Sequence, residues 1–207
     1  MNTSESTRSA PARLSSEDRR EQILEAASVV FGQHGYVGGT TDAVAKRAGI
    51  SQAYVVRMFG SKEQLFVEVA RRAGDRVAVG FREAIADFDG TVTLEDKQEI
   101  LGEVYSILVA DRGILLVLMH LFTLGHDPVF GPISRECFLA IYRIVRDEAG
   151  MEPSAATACM ARGMLMNTIL AMQLPEVLDT QPDAVELLEN CAGEMKGSLL
   201  KNLEAQE

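Results

Sequence analysis

Cysteine is scarce in this 207-residue chain: Cys137, Cys159 and Cys191 are odd in number, far apart and never in a C-x-x-C pair. That argues against a disulfide framework and a zinc site, and leaves buried free thiols as the expectation. Long apolar runs are lacking as well. The longest, residues 114–124, is interrupted by His120 and Thr123 and falls short of the roughly 20 residues a spanning helix needs, so no membrane partner is expected. The first twenty residues have no apolar signal core, which places the chain in the cytoplasm as an expectation. Catalytic constellations are missing too: there is no G-x-S-x-G, no phosphate-cradling glycine loop and no triad, so neither an enzyme nor a cofactor is expected. His120, His126 and Asp127 bring metal ligands close in sequence, but no Glu-x-x-His pair accompanies them, and no metal site is assigned. Period-two alternation flanked by hairpin turns is absent, so strand content should be near zero.

What is present describes a globular chain, 47% hydrophobic and 24% charged. Acids outnumber bases, 30 to 20, for a net charge of -10, yet the imbalance is not spread evenly. Residues 1–62 hold eight bases (Arg8, Arg13, Arg19, Arg20, Lys46, Arg47, Arg57, Lys62) against six acids, a balance of +2, and the remainder carries -12. Screening over about 8 to 10 Å separates the two fields in physiological salt. A weakly basic reader on an acidic body can therefore bind phosphates locally.

The basic part contains Thr40 to Leu65, TTDAVAKRAGISQAYVVRMFGSKEQL, which reads as two short helices joined by a tight turn. Thr40 or Thr41 caps the first helix, which buries Val44, Ala45 and Ala48 before Gly49 stops it. Ile50 plugs the corner, Ser51 caps the second helix, and Val55, Met58 and Phe59 give it an inward face. Gln52, Ala53, Tyr54, Val56 and Arg57 are left outside. An exposed short helix headed by small and polar residues fits a major groove.

Around this pair the pattern is all-α. A first helix runs from about Ser16 to Gly35, and a long helix capped by Ser61 runs to about Phe88, where DFDGTV turns the chain. Further helices are expected over about 94–110, 114–124, 132–149, 153–174 and 182–203, three of them with proline near the start. The predicted organisation is a disordered arm (1–16), a helix-turn-helix DNA-binding domain (17–64) and a helical ligand-binding and dimerisation domain (65–207). Arg8 and Arg13 are either a solvated tail or a basic arm for the neighbouring minor groove.

The first helix with Gly35-Tyr36, Thr40-Thr41, Val44-Ala45, Ala48-Gly49-Ile50-Ser51, Phe59 and Ser61-Lys62-Glu63 resembles the TetR family of bacterial repressors over roughly residues 17 to 66. The resemblance implies a homodimer on a double-stranded operator, with C-terminal helices that bind a small effector and release the DNA. Where the family often has a phosphate-touching Tyr, this chain has Val56; its usual Thr is Tyr54, and a frequent His is Met58. The phosphate role therefore moves to Tyr54, beside Thr41 and Lys62. Gln52 and Arg57 read either bases or phosphate. Thr40, Ser51 and Ala53 complete the expected DNA-binding set, Lys46 and Arg47 read as a solvated face, and Asp42 stays open.

In the body, Tyr105, Leu108, Met119, Phe122, Phe138, Tyr142, Met160, Met164 and Asn167, with Met166 and Met172, are candidates for an adaptable cavity lining, ordinary core being the commoner use of such residues. The last two expected helices carry the candidate dimer surface. Ala158, Ala161, Gly163 and Ala171 permit close approach, while Met164, Leu165, Leu187, Leu188, Leu199 and Leu203 supply apolar area.

Overall fold

The structure, a computed structural model, describes residues 15–193 and 196–204. The expected arm, with Arg8 and Arg13, lies almost wholly outside the described residues. Ten α-helices follow one another: α1 (Ser16–Gly38), α2 (Thr41–Arg47), α3 (Gln52–Phe59), α4 (Lys62–Ile85), α5 (Leu94–Ala110), α6 (Arg112–Thr123), α7 (Phe130–Arg143), α8 (Pro153–Ala171), α9 (Pro182–Ala192) and α10 (Lys196–Glu204). A π-turn, Ile144–Glu148, extends α7, and a 3-10 turn, Leu174–Val177, follows α8. No strand occurs among the described residues, as the missing alternation predicts.

Helix starts follow capping chemistry. Ser15 and Asp18 form a reciprocal capping box at α1, and Thr93 and Asp96 form another at α5. The Asp111 carboxylate accepts from the amides of Gly113 and Ile114 at 2.8 and 3.3 Å, so α6 starts at Arg112, two residues earlier than its apolar run suggests. Asp127 does the same for Val129 and Phe130, at 2.8 and 3.0 Å, which moves the start of α7 ahead of Pro132.

Helix ends also differ from the sequence expectation: α4 stops at Ile85 rather than near Phe88, and α8 at Ala171 rather than near 174. Gly35 takes φ 65° and kinks α1, but the chain resumes a helical turn and runs on to Gly38. The segment expected as one helix over 182–203 is two, because Gly193 sits at φ 58° and ends α9.

One buried cluster runs from Ile23 and Phe31 in α1 through Val44, Val55, Phe59 and Phe66 to Phe130, Val145 and Ala156. Its centre is aromatic. Phe66 of α4 packs edge-on against Phe31 and Phe130, each at 5.2 Å between centroids, and Tyr36 closes the group at 4.6 Å from Phe130. These rings tie the first helices to α7 with no solvated seam between. A second cluster, with Leu115, Ile169, Leu188 and Leu199, holds α6, α8, α9 and α10 together. Helix α6 lies along α1, where Gly32 allows an approach that would put a Cβ 3.5 Å from that of Leu116. No single described helix is long and apolar enough to cross a membrane.

Candidate nucleic-acid interface and interior cavity

The turn between α2 and α3 is made by backbone geometry and two hydroxyl caps. Thr40 Oγ1 accepts from the Ala43 amide at 3.1 Å, and Ser51 Oγ accepts from the Tyr54 amide at 3.3 Å. Between them Gly49 takes φ 65°, a conformation that glycine adopts at little cost, and the Ile50 amide donates back to the Ala45 carbonyl at 3.0 Å. Val44, Ala45, Ala48, Val55 and Phe59 are all buried, and Gln22 of α1 donates to the Ala48 carbonyl at 3.0 Å, pinning the turn to the first helix. Arg20 lies over the Phe59 ring at 4.8 Å and pairs with Glu68 of α4. Helix α3 is therefore gripped on its inner side by α1, α2 and α4.

Its outer side is open. Thr40, Ser51, Gln52, Ala53 and Arg57 are exposed, while Thr41, Tyr54 and Lys62 are half-buried. Gln52 Nε2 donates to Thr41 Oγ1 at 2.9 Å, joining the heads of α2 and α3. The Arg57 guanidinium rests over the Tyr54 ring at 4.8 Å. Lys62 is placed differently. Its ammonium donates to the Val37 carbonyl at 3.2 Å and lies 4.6 Å from the Tyr36 ring centre. Burial, with Glu63 and Asp127 nearby, pushes the Tyr36 phenol up, keeping that ring neutral. Asp42 stands exposed near the start of α2.

In the body, α4 to α9 line a cavity of about 80 Å³. Tyr105, Phe122, Phe138, Met160 and Met164 line it. Leu108, Met119, Tyr142 and Asn167 do not. Leu108 instead borders an open groove beside Gly80, Met119 packs on the second core cluster, Tyr142 lies under the Arg146 guanidinium at 5.2 Å, and Asn167 stands behind the wall, accepting from the Tyr105 hydroxyl at 2.8 Å. Burial pushes the Tyr105 phenol up to about 12.

All three cysteines line this same cavity, which their spacing did not foretell. Burial raises each thiol, Cys137 to about 11 with Asp75 and Glu136 adding to the effect, so they are neutral walls rather than nucleophiles. Two glycines make room. A Cβ on Gly74 would lie 2.6 Å from Cys137 Sγ, and one on Gly163 would meet Tyr105 Cε1 at 3.4 Å. Among the described residues no group of three His, Cys, Asp or Glu could hold a metal ion.

Residues 23–69 match the family model of bacterial regulatory proteins of the tetR family. The chain thus has an N-terminal helix-turn-helix domain of TetR type, followed by a helical C-terminal domain. Among curated relatives, it is 40% identical over 73 residues to the HTH-type transcriptional activator FasR of Mycolicibacterium smegmatis, covering 35% of this chain and 33% of that protein. It is 39% identical over 59 residues to the HTH-type transcriptional repressor AcnR of Corynebacterium efficiens, covering 28% of this chain and 31% of that protein. The matches thus span about a third of the relatives' lengths. Over the whole molecule the likeness is one of fold. A TetR-like transcriptional regulator from Rhodococcus sp. RHA1 superposes with a TM-score of 0.64 at 20% identity, covering 94% of this chain and 100% of that one.

The residues proposed from sequence for a dimer surface divide. Ala158, Ala161, Leu165 and Leu187 are exposed, whereas Gly163, Met164, Ala171 and Leu203 are half-buried. Leu188 and Leu199 are fully buried within their own chain, Leu199 on α10, which packs back against α5. Neither of these two has surface to offer a partner.

Proposed function

We propose that this chain is a DNA-binding transcriptional regulator, a repressor that sits as a homodimer on a palindromic operator and is released by a small apolar or amphipathic ligand. The observation that carries the reading is α3: gripped on its inner side, bare on its outer side, with Gln52 and Arg57 flanking small residues and no acid in its first turn. Relatives named as a transcriptional activator and as transcriptional repressors support it.

A dimer is needed because one short helix reads too few bases for a unique genomic site. On α8, Ala158, Ala161, Leu165 and Thr168, with Met172 at its C-terminal cap, are exposed at alternating spacings of three and four, a single strip suited to pairing with its two-fold copy. Leu187 of α9 adds apolar surface.

The cavity is the ligand site in this reading. Its 80 Å³ is below the roughly 300 Å³ of ordinary ligand pockets, so binding requires the flexible side chains of Met160, Met164 and Met166 to move. Helix α4 links the two events: Gly74, Val77 and Phe81 stand in the cavity wall, while Leu65 and Phe66 stand in the core beneath the reader. A ligand that fits better when α4 is displaced lowers the population of the DNA-competent state.

Selection of bound sequences from random DNA tests the function. The expected product is a palindrome with half-sites about 10 base pairs apart or a little more, bound with affinity that falls steeply as salt rises. Recovery of no enriched sequence overturns the reading. The small cavity favours one alternative, a regulator with no small ligand that responds to a protein partner or to its own abundance. Thermal-shift screening separates the two, since a cognate ligand stabilises the fold by about 2.7 kcal/mol at a hundred times its dissociation constant.

A further inference from the structure

At about 100° per residue, the outer surface of α3 runs in the order Gln52, Val56, Ala53, Arg57. Its two middle members are apolar. Ala53 is exposed, and Val56 is 41% exposed although it belongs to a helix whose other large aliphatic, Val55, is fully buried. The long polar side chains on either side could have lain across these methyls and shielded them from water. They do not: Gln52 is drawn toward α2 by its bond to Thr41, and Arg57 is folded onto the Tyr54 ring. A bare methyl patch, bordered by a carboxamide and a guanidinium, is thus presented on the outer side of α3.

Val56 has no group that can bond a phosphate. Within the major groove the one apolar feature on a base edge is the 5-methyl group of thymine, and apolar side chains recognise it by contact. We infer that Ala53 and Val56 read thymine methyl groups, so that each half-site holds a thymine between the positions faced by Gln52 and Arg57. The inference rests on the DNA-binding reading above and adds to it which base the apolar part of the surface selects.

Deoxyuridine tests this directly, because it pairs as thymine does and lacks only the methyl. The probe is a sequence selected by the wild-type chain, with each thymine replaced in turn by deoxyuridine. Loss of one buried methyl contact should weaken binding about fourfold per half-site and about fifteenfold when both are replaced. The effect should be confined to one thymine position, or two adjacent ones, per half-site. An Ala53→Ser, Val56→Ser double variant should bind thymine and deoxyuridine DNA equally. Equal wild-type binding to both DNAs, a methyl effect undiminished in the double variant, or selected half-sites lacking thymine there would each overturn the inference while leaving DNA binding standing. Failure of the wild-type chain to select any salt-sensitive sequence would instead remove the underlying reading, and this inference with it.

Discussion

The helix-turn-helix and the helical body differ in what determines them. The reader is built from contacts a few residues apart: Thr40 caps three residues on, Ser51 caps three residues on, and Gly49 turns between them. The body is built from contacts far apart in the chain, such as Cys137, Cys159 and Cys191 around one cavity, or Tyr105 on Asn167. Local rules therefore specify the reader almost alone, whereas the body's site exists only once its helices have packed. The two are nonetheless one core, joined where Phe66 meets Phe130.

That joint gives the largest expected effect. Phe130→Ala, a change in the body, should cost about 3–5 kcal/mol and lower the stability of α2 and α3 together with that of α7. Hydrogen exchange resolved by segment checks it. Loss of protection in the body alone would make the reader an independent unit. Next comes Gly74→Ala, whose new methyl would stand 2.6 Å from Cys137 Sγ. Overpacking of this kind costs about 1–3 kcal/mol, and adding Cys137→Ala should recover most of it in thermal melts. No recovery would mean that the cavity wall is not as close as described.

A smaller loss, about 1 kcal/mol, is expected from Thr40→Ala, which leaves the Ala43 amide without its side-chain partner. Denaturant titration measures it, and no change in midpoint would show that tertiary packing rather than capping holds the reader. Smallest is a pH effect at the start of α5. Hydrogen bonds from the Thr93 hydroxyl and amide hold Asp96 below its ordinary value of 3.8. A carboxylate lowered in the folded state adds stability above that ordinary value and loses it as pH falls through the lower one. Asp96→Asn should therefore flatten stability against pH on the acid side. An unchanged acid limb would remove the capping box from the account.

The same contrast explains what was legible in the sequence. Leu94–Ala110 is found where its periodicity put it, the caps at Ser51 and Ser61 stand at their expected places, and of the two threonines offered for α2 it is Thr40 that caps, because each depends on near neighbours. Gly193 looked like one more residue in an apolar helix, and only its positive φ shows that the helix ends there. Leu188 and Leu199 have the composition of an interface but face their own core, a distinction that periodicity cannot make. Lys62 stands at the head of α4 and is held by Val37 and Tyr36, partners 25 and 26 residues earlier. Nor could the cavity's small volume be read from a list of large side chains.

The central claim is that the outer face of α3 binds DNA. Its most direct test compares the wild-type chain with a Gln52→Ala, Tyr54→Ala, Arg57→Ala variant on the same selected operator, from about 50 to about 200 mM salt. Wild-type affinity should fall linearly with salt on logarithmic axes, and the variant should lose about a hundredfold or more, with helical content unchanged. Equal affinity of the two proteins across the salt series would contradict it.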